Sequence, residues 1–191
     1  MLLGALTGAS TAQIAAYPER ELGPELALRF VDMLVRREQG EPVAYLLGQR
    51  EFYGRCFRVS PAVLIPRPET ELIVDRVLAR VPRDAAIRIL DLGTGSGALA
   101  VSLALELPAA QVTAVDLSPA ALAVAAANAQ RLGARVRCLE SDWFAALQGE
   151  LFDLIVSNPP YVAAGDPHLD EGDVRFEPPG EIGRASCRER V

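Results

Sequence analysis

The spacing of hydrophobic and polar positions changes along this chain, and each spacing predicts a different kind of element. In residues 1–50, apolar side chains recur at helical intervals, as at Leu26, Phe30 and Met33, which predicts a small helical lobe. Residues 51–59 form two short aromatic runs around a glycine and predict a β-hairpin. The chain therefore begins with helices and reaches its first strands through a hairpin.

A linker helix is predicted after the hairpin. Two prolines flank Arg67, and beyond them Ile73, Val77 and Val81 share one helical face. Pro82 is expected to stop this helix, because proline cannot continue the hydrogen-bond ladder.

From residue 87 onwards, strands alternate with helices. Between the strands, one helix is predicted over 98–107, and a second begins at the cap Ser118 and ends at Gly133. The alternation predicts right-handed crossovers and a doubly wound parallel sheet, so the fold class is α/β and Rossmann-like. The four predicted strands are Ile87–Leu92, Gln111–Asp116, Val136–Glu140 and Phe152–Val156.

Composition and charge narrow the class of protein. The 191 residues carry 19 arginines, no lysine and 25 acidic residues, for a net charge of −6, which disfavours a stand-alone nucleic-acid or anionic-membrane binder. The three cysteines lie far apart and His168 is the one histidine, so neither a disulfide framework nor a metal site is expected. The chain shows no basic leader and no apolar run near the roughly 18 residues of a membrane span. These features predict a cytoplasmic protein.

A glycine-rich turn joins the first strand of the sheet to its first helix. Glycines in the sequence Asp91–Gly97 let the backbone turn sharply and contact a ligand directly. Asp116 ends the next strand, where a carboxylate can accept hydrogen bonds from the hydroxyls of a ribose. Asp142 and Trp143 follow the third strand. Asp142 is a candidate to accept a hydrogen bond from an adenine amino group, and Trp143 is a candidate to flank the ring. The candidate cofactor residues are Asp91, Gly93, Thr94, Gly95, Ser96, Gly97, Asp116, Asp142, Trp143 and, from the motif described next, Asn158.

The same glycines fit the pattern of a nicotinamide dinucleotide site, so charge is used to choose between cofactors. A pyrophosphate favours a helix N-terminus free of nearby anions, and Asp91 stands just before the glycines. A carboxylate there favours the ammonium and sulfonium charges of S-adenosylmethionine. We therefore predict S-adenosylmethionine, with NAD as the alternative; taken alone, the turn could also simply pack a helix on a strand.

An Asn-Pro-Pro-Tyr sequence follows the fourth strand, at the sheet edge where α/β folds bind ligands. The prolines stiffen the backbone and remove two donors. The oxygen of Asn158 and a neighbouring carbonyl then accept from a planar NH2 group, and Tyr161 lies against its flat face. The predicted catalytic residues are Asn158, Pro159 and Tyr161, and the substrate-binding residues are Asn158, Pro159, Pro160, Tyr161 and Arg67. The predicted reaction is an in-line methyl transfer to an amide or amine nitrogen, aided by placement and dipoles rather than by a general base.

With both motifs in place, the chain resembles the HemK/PrmC-type protein-(glutamine-N5) methyltransferases, class I enzymes that modify peptide chain release factors. Asn-Pro-Pro-Tyr alone is shared with DNA and RNA amino-methyltransferases, whereas GEPVAYLLG at 40–48 and IPRPETE at 65–71 are the specific part. The likeness also covers EFYG at 51–54, SDWF at 141–144 and GDVRFEP at 172–178.

The resemblance implies roles for individual residues. Gly93–Gly97, Asp116 and Trp143 would contact the cofactor, and Asn158–Tyr161 would hold the glutamine of a Gly-Gly-Gln loop. Leu64 and Arg67 are expected to line the same pocket from the hairpin side. As an alternative, Arg67 simply pairs with Glu69 or Glu71.

The resemblance also implies a domain organisation. A helical lobe over 1–50 would dock the release factor, a hairpin and linker helix occupy 51–82, and a partial methyltransferase domain occupies 83–179. Residues 180–191 do not fit the family, so the sheet is expected to lack its last strands and this polypeptide to have weak or no activity. A monomer that contacts neither nucleic acid nor membrane is expected.

Three other functions stay open from sequence. A nucleic-acid amino-methyltransferase acting on adenine N6 or guanine N2 shares the second motif but needs a basic surface. An NAD-dependent oxidoreductase shares the glycine pattern. A non-catalytic binding module is the third.

Overall fold

The computed structural model describes residues 1–159 and 174–178, and the chain divides into two compact units. The first unit spans Met1–Gly48, and the second begins at Gln49. The sequence predicts the hairpin and linker helix over 51–82 as a separate region. In the structure, the hairpin belongs to the same unit as the sheet. No helix in the described part of the chain is both long and apolar enough to cross a membrane.

Four helices build the first unit, as its apolar spacing predicts. Ser10 forms a capping box with Gln13 at the start of the second helix, and Pro24 occupies the first turn of the third. The helices are α1 (Leu2–Thr7), α2 (Thr11–Ala16), α3 (Pro24–Glu38) and α4 (Val43–Leu47).

The predicted hairpin is present and has a tight turn. Strands β1 (Gln49–Phe52) and β2 (Arg55–Arg58) pair antiparallel. Tyr53 and Gly54 between them have φ of 50° and 67°, the left-handed values of a type I′ turn. The backbone N–H of Tyr53 donates to Glu71 at 2.8 Å, which ties the turn to the linker helix.

The linker helix is shorter than predicted. It consists of a 3-10 turn at Pro68–Thr70 followed by α5 (Glu71–Leu78). Val81 lies beyond α5, although its N–H still donates to Val77. The residue before a proline disfavours helical geometry, so Pro82 acts one turn earlier than expected.

The second unit contains the predicted parallel sheet. Its strands have the order β5-β4-β3-β6, and all three neighbouring pairs are parallel. Helices α6 (Ala98–Glu106) and α7 (Pro119–Leu132) make the crossovers from β3 to β4 and from β4 to β5. The strands are β3 (Arg88–Leu92), β4 (Gln111–Asp116), β5 (Val136–Glu140) and β6 (Leu154–Ser157).

The last of these strands begins two residues later than predicted. Asp153 is occupied with Arg88, whose N–H donates to the Asp153 carboxylate at 2.7 Å. Phe152 stacks under the Arg88 guanidinium, 5.0 Å from its ring centre. The backbone N–H of Asp153 still donates to the carbonyl of Arg88 at 2.9 Å, but regular pairing with β3 begins at Leu154, opposite Ile89. Among the described residues, β6 is one of the two edge strands of this sheet.

The caps predicted for α7 are confirmed. The hydroxyl of Ser118 accepts from the N–H of Ala121 at 3.2 Å, and Gly133 closes the helix with φ of 74°. These caps satisfy backbone groups that a helix leaves without partners at its ends.

The core lies on both faces of the sheet. Ile89, Val112 and Val156 pack on one face with α6, with α5 and with the hairpin. Leu90, Leu92 and Val115 point to the other face, against Leu147, as period-two alternation requires. Asp91 follows Ile89 and Leu90 at the carboxyl end of β3, and the site begins there.

Candidate functional site

A cleft of about 40 Å³ lies at the carboxyl ends of β3 and β6. It brings the two sequence motifs together, since Asp91 and Asn158 both line it. It is large enough for a small polar group, not for a whole nucleoside. Its lining residues are Leu64, Pro66, Arg67, Thr70, Asp91, Gly93, Thr94, Gly95, Ser96, Ala98, Leu99 and Asn158.

Asp91 is the most buried charged group of the cleft, with 1% of its surface exposed. Its Oδ2 accepts from the Thr94 hydroxyl at 2.7 Å and from the N–H of Ala100 at 3.2 Å. Ala100 lies in the first turn of α6, whose own N-cap, Gly97, offers no side chain. Asp91 therefore supplies the cap that the helix lacks.

The second oxygen of this carboxyl has no hydrogen-bond partner among the described residues, although it is buried. Burial raises the pKa of Asp91 to about 6, against the lowering effect of its bonds from Thr94 and Ala100. The carboxylate is thus costly to keep charged, and a positively charged ligand would offset that cost.

The glycine turn has the geometry of a ligand cradle. Gly93 and Gly95 have φ of 68° and 52°, and a Cβ on either would meet no atom within 4 Å. Left-handed backbone requires glycine there, and the open space leaves the backbone accessible. The N–H groups of Gly93 and Thr94 both donate to the carbonyl of Val115, which holds the turn against β4.

Asp116 is placed at the end of β4, as predicted. Its two oxygens accept from the N–H groups of Gly95 and Ser118, each at 2.9 Å. A carboxylate offers about four lone-pair sites, so two remain for further donors. Asp116 lies beside the cleft rather than in its lining.

Asn128 is a structural residue of this site that sequence reasoning missed. It is fully buried in α7, and its amide donates to the carbonyls of Ser96 and Arg58 at 2.9 and 3.0 Å. Its oxygen accepts from the N–H of Arg58 at 2.8 Å. Helix α7 thereby ties the glycine turn to the hairpin. The sequence signal that could have identified Asn128 is a single polar residue among the buried alanines of this helix.

Gly97 is required for packing as well as for its φ of 80°. A Cβ there would stand 3.1 Å from both Cα and Cβ of Ala125. The last glycine of the turn therefore lets α6 and α7 approach closely, while the first two face open space.

Asn158 follows β6 and lines the same cleft as the glycine turn. The neighbouring Ser157 donates to the carbonyl of Leu92 at 2.8 Å, which fixes the strand end on β3. The Asn158 side-chain NH2 donates to the Thr70 hydroxyl at 3.3 Å. Pro159 is half-buried beside it.

Arg67 lines the cleft, but its partner is neither of the two glutamates considered from sequence. Its guanidinium bonds both oxygens of Glu177, at 2.7 and 2.8 Å. Glu177 has 1% of its side chain exposed and Arg67 33%. The alternative of a local pair with Glu69 or Glu71 was wrong, because the tertiary fold brings Glu177 closer. Leu64 also lines the cleft, as the resemblance implied.

Asp142 and Trp143 follow β5 and do not line the cleft. Both are exposed, and the Ser141 hydroxyl donates to the carbonyl of Trp143 at 2.8 Å. Trp143 has φ of 52°, an uncommon and strained value for a bulky residue. Their assignment to an adenine ring stays a prediction.

Two further candidates, Pro160 and Tyr161, lie outside the described residues.

Comparison with known proteins agrees with this fold. Residues 70–172 match the family described as Methyltransferase small domain, and residues 1–48 match the PrmC N-terminal domain. Among solved structures, the 16S rRNA N2 G1207 methyltransferase of T. thermophilus, in complex with AdoMet and guanosine, superposes with a TM-score of 0.53. It is 28% identical, and the match covers 61% of this chain and 33% of that one.

Curated relatives are more similar in sequence. The release factor glutamine methyltransferase of Bordetella pertussis is 55% identical over 183 residues, a match that covers 95% of this chain and 68% of the relative. The protein of the same name from Salmonella typhimurium is 55% identical over 179 residues, covering 93% of this chain and 64% of the relative. The chain thus spans about two thirds of their length.

The parallel sheet, the glycine turn and the first family match define a methyltransferase of the Rossmann-like class. With relatives this similar along nearly the whole sequence, the chain belongs to the release factor glutamine methyltransferase family.

Proposed function

We propose that the protein uses S-adenosylmethionine to methylate the side-chain nitrogen N5 of the glutamine in the Gly-Gly-Gln motif of peptide chain release factors. The observation that carries this proposal is that Asp91, the glycine turn and Asn158 share one cleft. One side of that cleft suits a cation, and the other offers an amide oxygen.

The residues present fit this cofactor. Asp91 lines the cleft and has one carboxylate oxygen without a partner among the described residues, so positive charge in the cleft would lower the cost of burying this carboxylate. The cradle at Gly93 and Gly95 leaves space beside the backbone, and Asp116 retains lone pairs for a ribose. The chemistry supplied by the bound cofactor is a methyl group on a positively charged sulfur.

Asn158 acts on the substrate side. Its oxygen and a neighbouring backbone carbonyl accept the two hydrogens of the glutamine NH2 group, which orients the nitrogen towards the methyl group. On transfer, the bond between the methyl carbon and sulfur would break as the bond to nitrogen forms, the neutral thioether S-adenosylhomocysteine would leave, and the nitrogen would release one proton to solvent. Asn158 is neutral, so placement and fixed dipoles rather than proton abstraction do this.

The first unit is proposed to dock the release factor. Helix α3 leaves four large apolar side chains exposed, which suits a protein partner. These residues are Leu28, Val31, Leu34 and Val35.

A nucleic-acid amino-methyltransferase is the less supported function. The chain carries a net charge of −6 and no lysine, whereas a nucleic-acid substrate requires many phosphate contacts. The curated relatives named above also point to a release factor.

The proposal is tested with a version of the chain extended to the length of its curated relatives, incubated with S-adenosylmethionine labelled on its methyl group and a release factor carrying Gly-Gly-Gln or Gly-Gly-Glu. Label on the first protein and none on the second is expected. Asn158→Ala is expected to remove labelling while cofactor binding, measured by calorimetry, is kept. Equal labelling of both release factors, or full activity of the variant, would contradict the proposal.

A further inference from the structure

Thr70 occupies the N-cap position of α5, where a threonine hydroxyl ordinarily accepts from the first N–H groups of the helix, but its hydroxyl makes no such bond. It immediately precedes α5, and its side chain makes no cap hydrogen bond, since its backbone is already helical at φ −68° and ψ −22°. A capping residue needs extended backbone to reach the first helical N–H groups. The side chain is nevertheless buried, with 9% of the residue exposed.

The Thr70 hydroxyl instead accepts a hydrogen bond from the NH2 group of Asn158 at 3.3 Å. The two residues are 88 positions apart in sequence and line the same cleft. Burying a hydroxyl away from its local helix is costly unless it is bonded. The contact therefore accounts for why a threonine at this position points inwards.

A carboxamide can be rotated by half a turn with almost no change in shape, but the rotation exchanges its donor and acceptor ends. The bond between Ser157 and Leu92 fixes the backbone beside Asn158, and leaves that rotation of the side chain free. In the structure the Thr70 hydroxyl accepts from the NH2 end, which leaves the oxygen for the cleft. The rotated amide would require this hydroxyl to turn and donate instead.

We propose that Thr70 is a positioning residue, which orients the Asn158 amide so that its oxygen faces the substrate. This inference rests on the proposed function. An oxygen in the cleft accepts from the NH2 group of glutamine, whereas the rotated amide would present a donor, which suits the carboxylate of glutamate. Thr70 thus contributes to the choice of glutamine over glutamate.

The experiment measures binding and does not depend on turnover. Fluorescent peptides containing Gly-Gly-Gln or Gly-Gly-Glu are titrated with the full 191-residue chain in the presence of S-adenosylhomocysteine, and the ratio of the two dissociation constants is determined. We expect Thr70→Val, which keeps the shape and removes the hydroxyl, to reduce the preference for glutamine about tenfold. Thr70→Ser restores the hydroxyl and should restore the preference.

Thr113→Val is the matched control, because Thr113 is equally buried but lies in β4 away from the cleft. It should lower stability without changing the ratio. Thermal unfolding of each variant separates a folding defect from a change in selectivity.

The outcomes distinguish the two proposals. If the unmodified chain prefers glutamine and Thr70→Val keeps that preference while folded, Thr70 does not orient the amide. If Thr70→Ser fails to restore a lost preference, the hydroxyl is not the group responsible and the inference is overturned. A chain that binds both peptides alike contradicts the proposed function itself.

Discussion

The glycine-turn side of the cleft and the Asn158 side are held in place by different kinds of contact. On the first side, backbone N–H groups of the turn bond to β4 and to Asp116, and Asn128 anchors Ser96 from behind. On the second side, Asn158 follows the edge strand and is oriented by the Thr70 hydroxyl. The first arrangement is rigid and redundant, whereas the second depends on single side-chain contacts.

This difference matches what each side is proposed to do. A cradle for a cofactor must hold many atoms in place, and backbone contacts within one crossover do so. Selection of one amide over a carboxylate needs only one acceptor with its orientation fixed. We therefore expect damage to the first side to reduce stability and cofactor binding, and loss of the contact between Thr70 and Asn158 on the second side to reduce selectivity.

The largest stability effect is expected from Asn128→Asp. The new carboxylate would face the carbonyls of Ser96 and Arg58, which the amide now bonds as a donor. We expect a loss of about 4 kcal/mol in unfolding free energy, because a buried carboxylate has no hydrogen to donate to these two carbonyl oxygens and its charge would be left uncompensated. Urea denaturation measures it.

Gln130→Glu is the control for this change, since it makes the same replacement on the exposed side of the same helix. A loss as large in the control as at position 128 would mean that helix charge, not the buried hydrogen bonds, is responsible.

The Arg67–Glu177 ion pair should give the next effect, and it should be asymmetric. Arg67→Met removes the arginine bonded to an almost fully buried carboxylate, for which we expect a loss of about 3 kcal/mol. Glu177→Gln leaves a guanidinium that is one third exposed and should cost less. Urea denaturation of both variants compares them.

Arg137→Met serves as the control for the ion pair, because Arg137 contacts Glu150 at the surface and should change stability least. Equal losses for Arg67→Met and Glu177→Gln would contradict the role assigned to the burial of Glu177.

Asp91→Asn should produce the smallest of these effects, and one that depends on pH. Because the pKa of Asp91 is raised to about 6, the folded state binds this proton more tightly than the unfolded chain. The stabilisation that this proton gives the folded state is full below the pKa that Asp91 has in the unfolded chain, and it is lost as the pH rises through about 6. The variant should therefore gain about 2 kcal/mol relative to the parent between about pH 4 and pH 7.

Urea denaturation at several pH values tests this, with Asp84→Asn, an exposed carboxylate, as the control. If the difference between Asp91→Asn and the parent does not change with pH, the burial of Asp91 has no energetic consequence.

Sequence patterns predicted the features that arise within one strand–helix crossover. The four parallel strands, the caps at Ser118 and Gly133, and the position of Asp116 follow from residues close together in the chain. These signals are local because a turn or cap depends on its own few residues.

The contacts that assemble the second side of the cleft could not be predicted in this way. Thr70 meets Asn158, and Arg67 meets Glu177 across 110 positions, so only the tertiary fold reveals these pairs. The local glutamates beside Arg67 were an equally reasonable choice from sequence. Asn128 was missed because its side chain bonds three backbone groups that belong to two other segments of the chain, and these contacts form only in the tertiary fold.

We propose that the cleft has one side for a cationic cofactor and a separate side for an amide. Calorimetric titration of S-adenosylmethionine into the parent chain, Asp91→Asn and Asn158→Ala at neutral pH would separate the two sides. We predict that Asp91→Asn binds at least about tenfold more weakly, because a charge contact is lost, and that Asn158→Ala binds like the parent. Unchanged affinity in Asp91→Asn, together with a loss in Asn158→Ala, would contradict this division of the cleft.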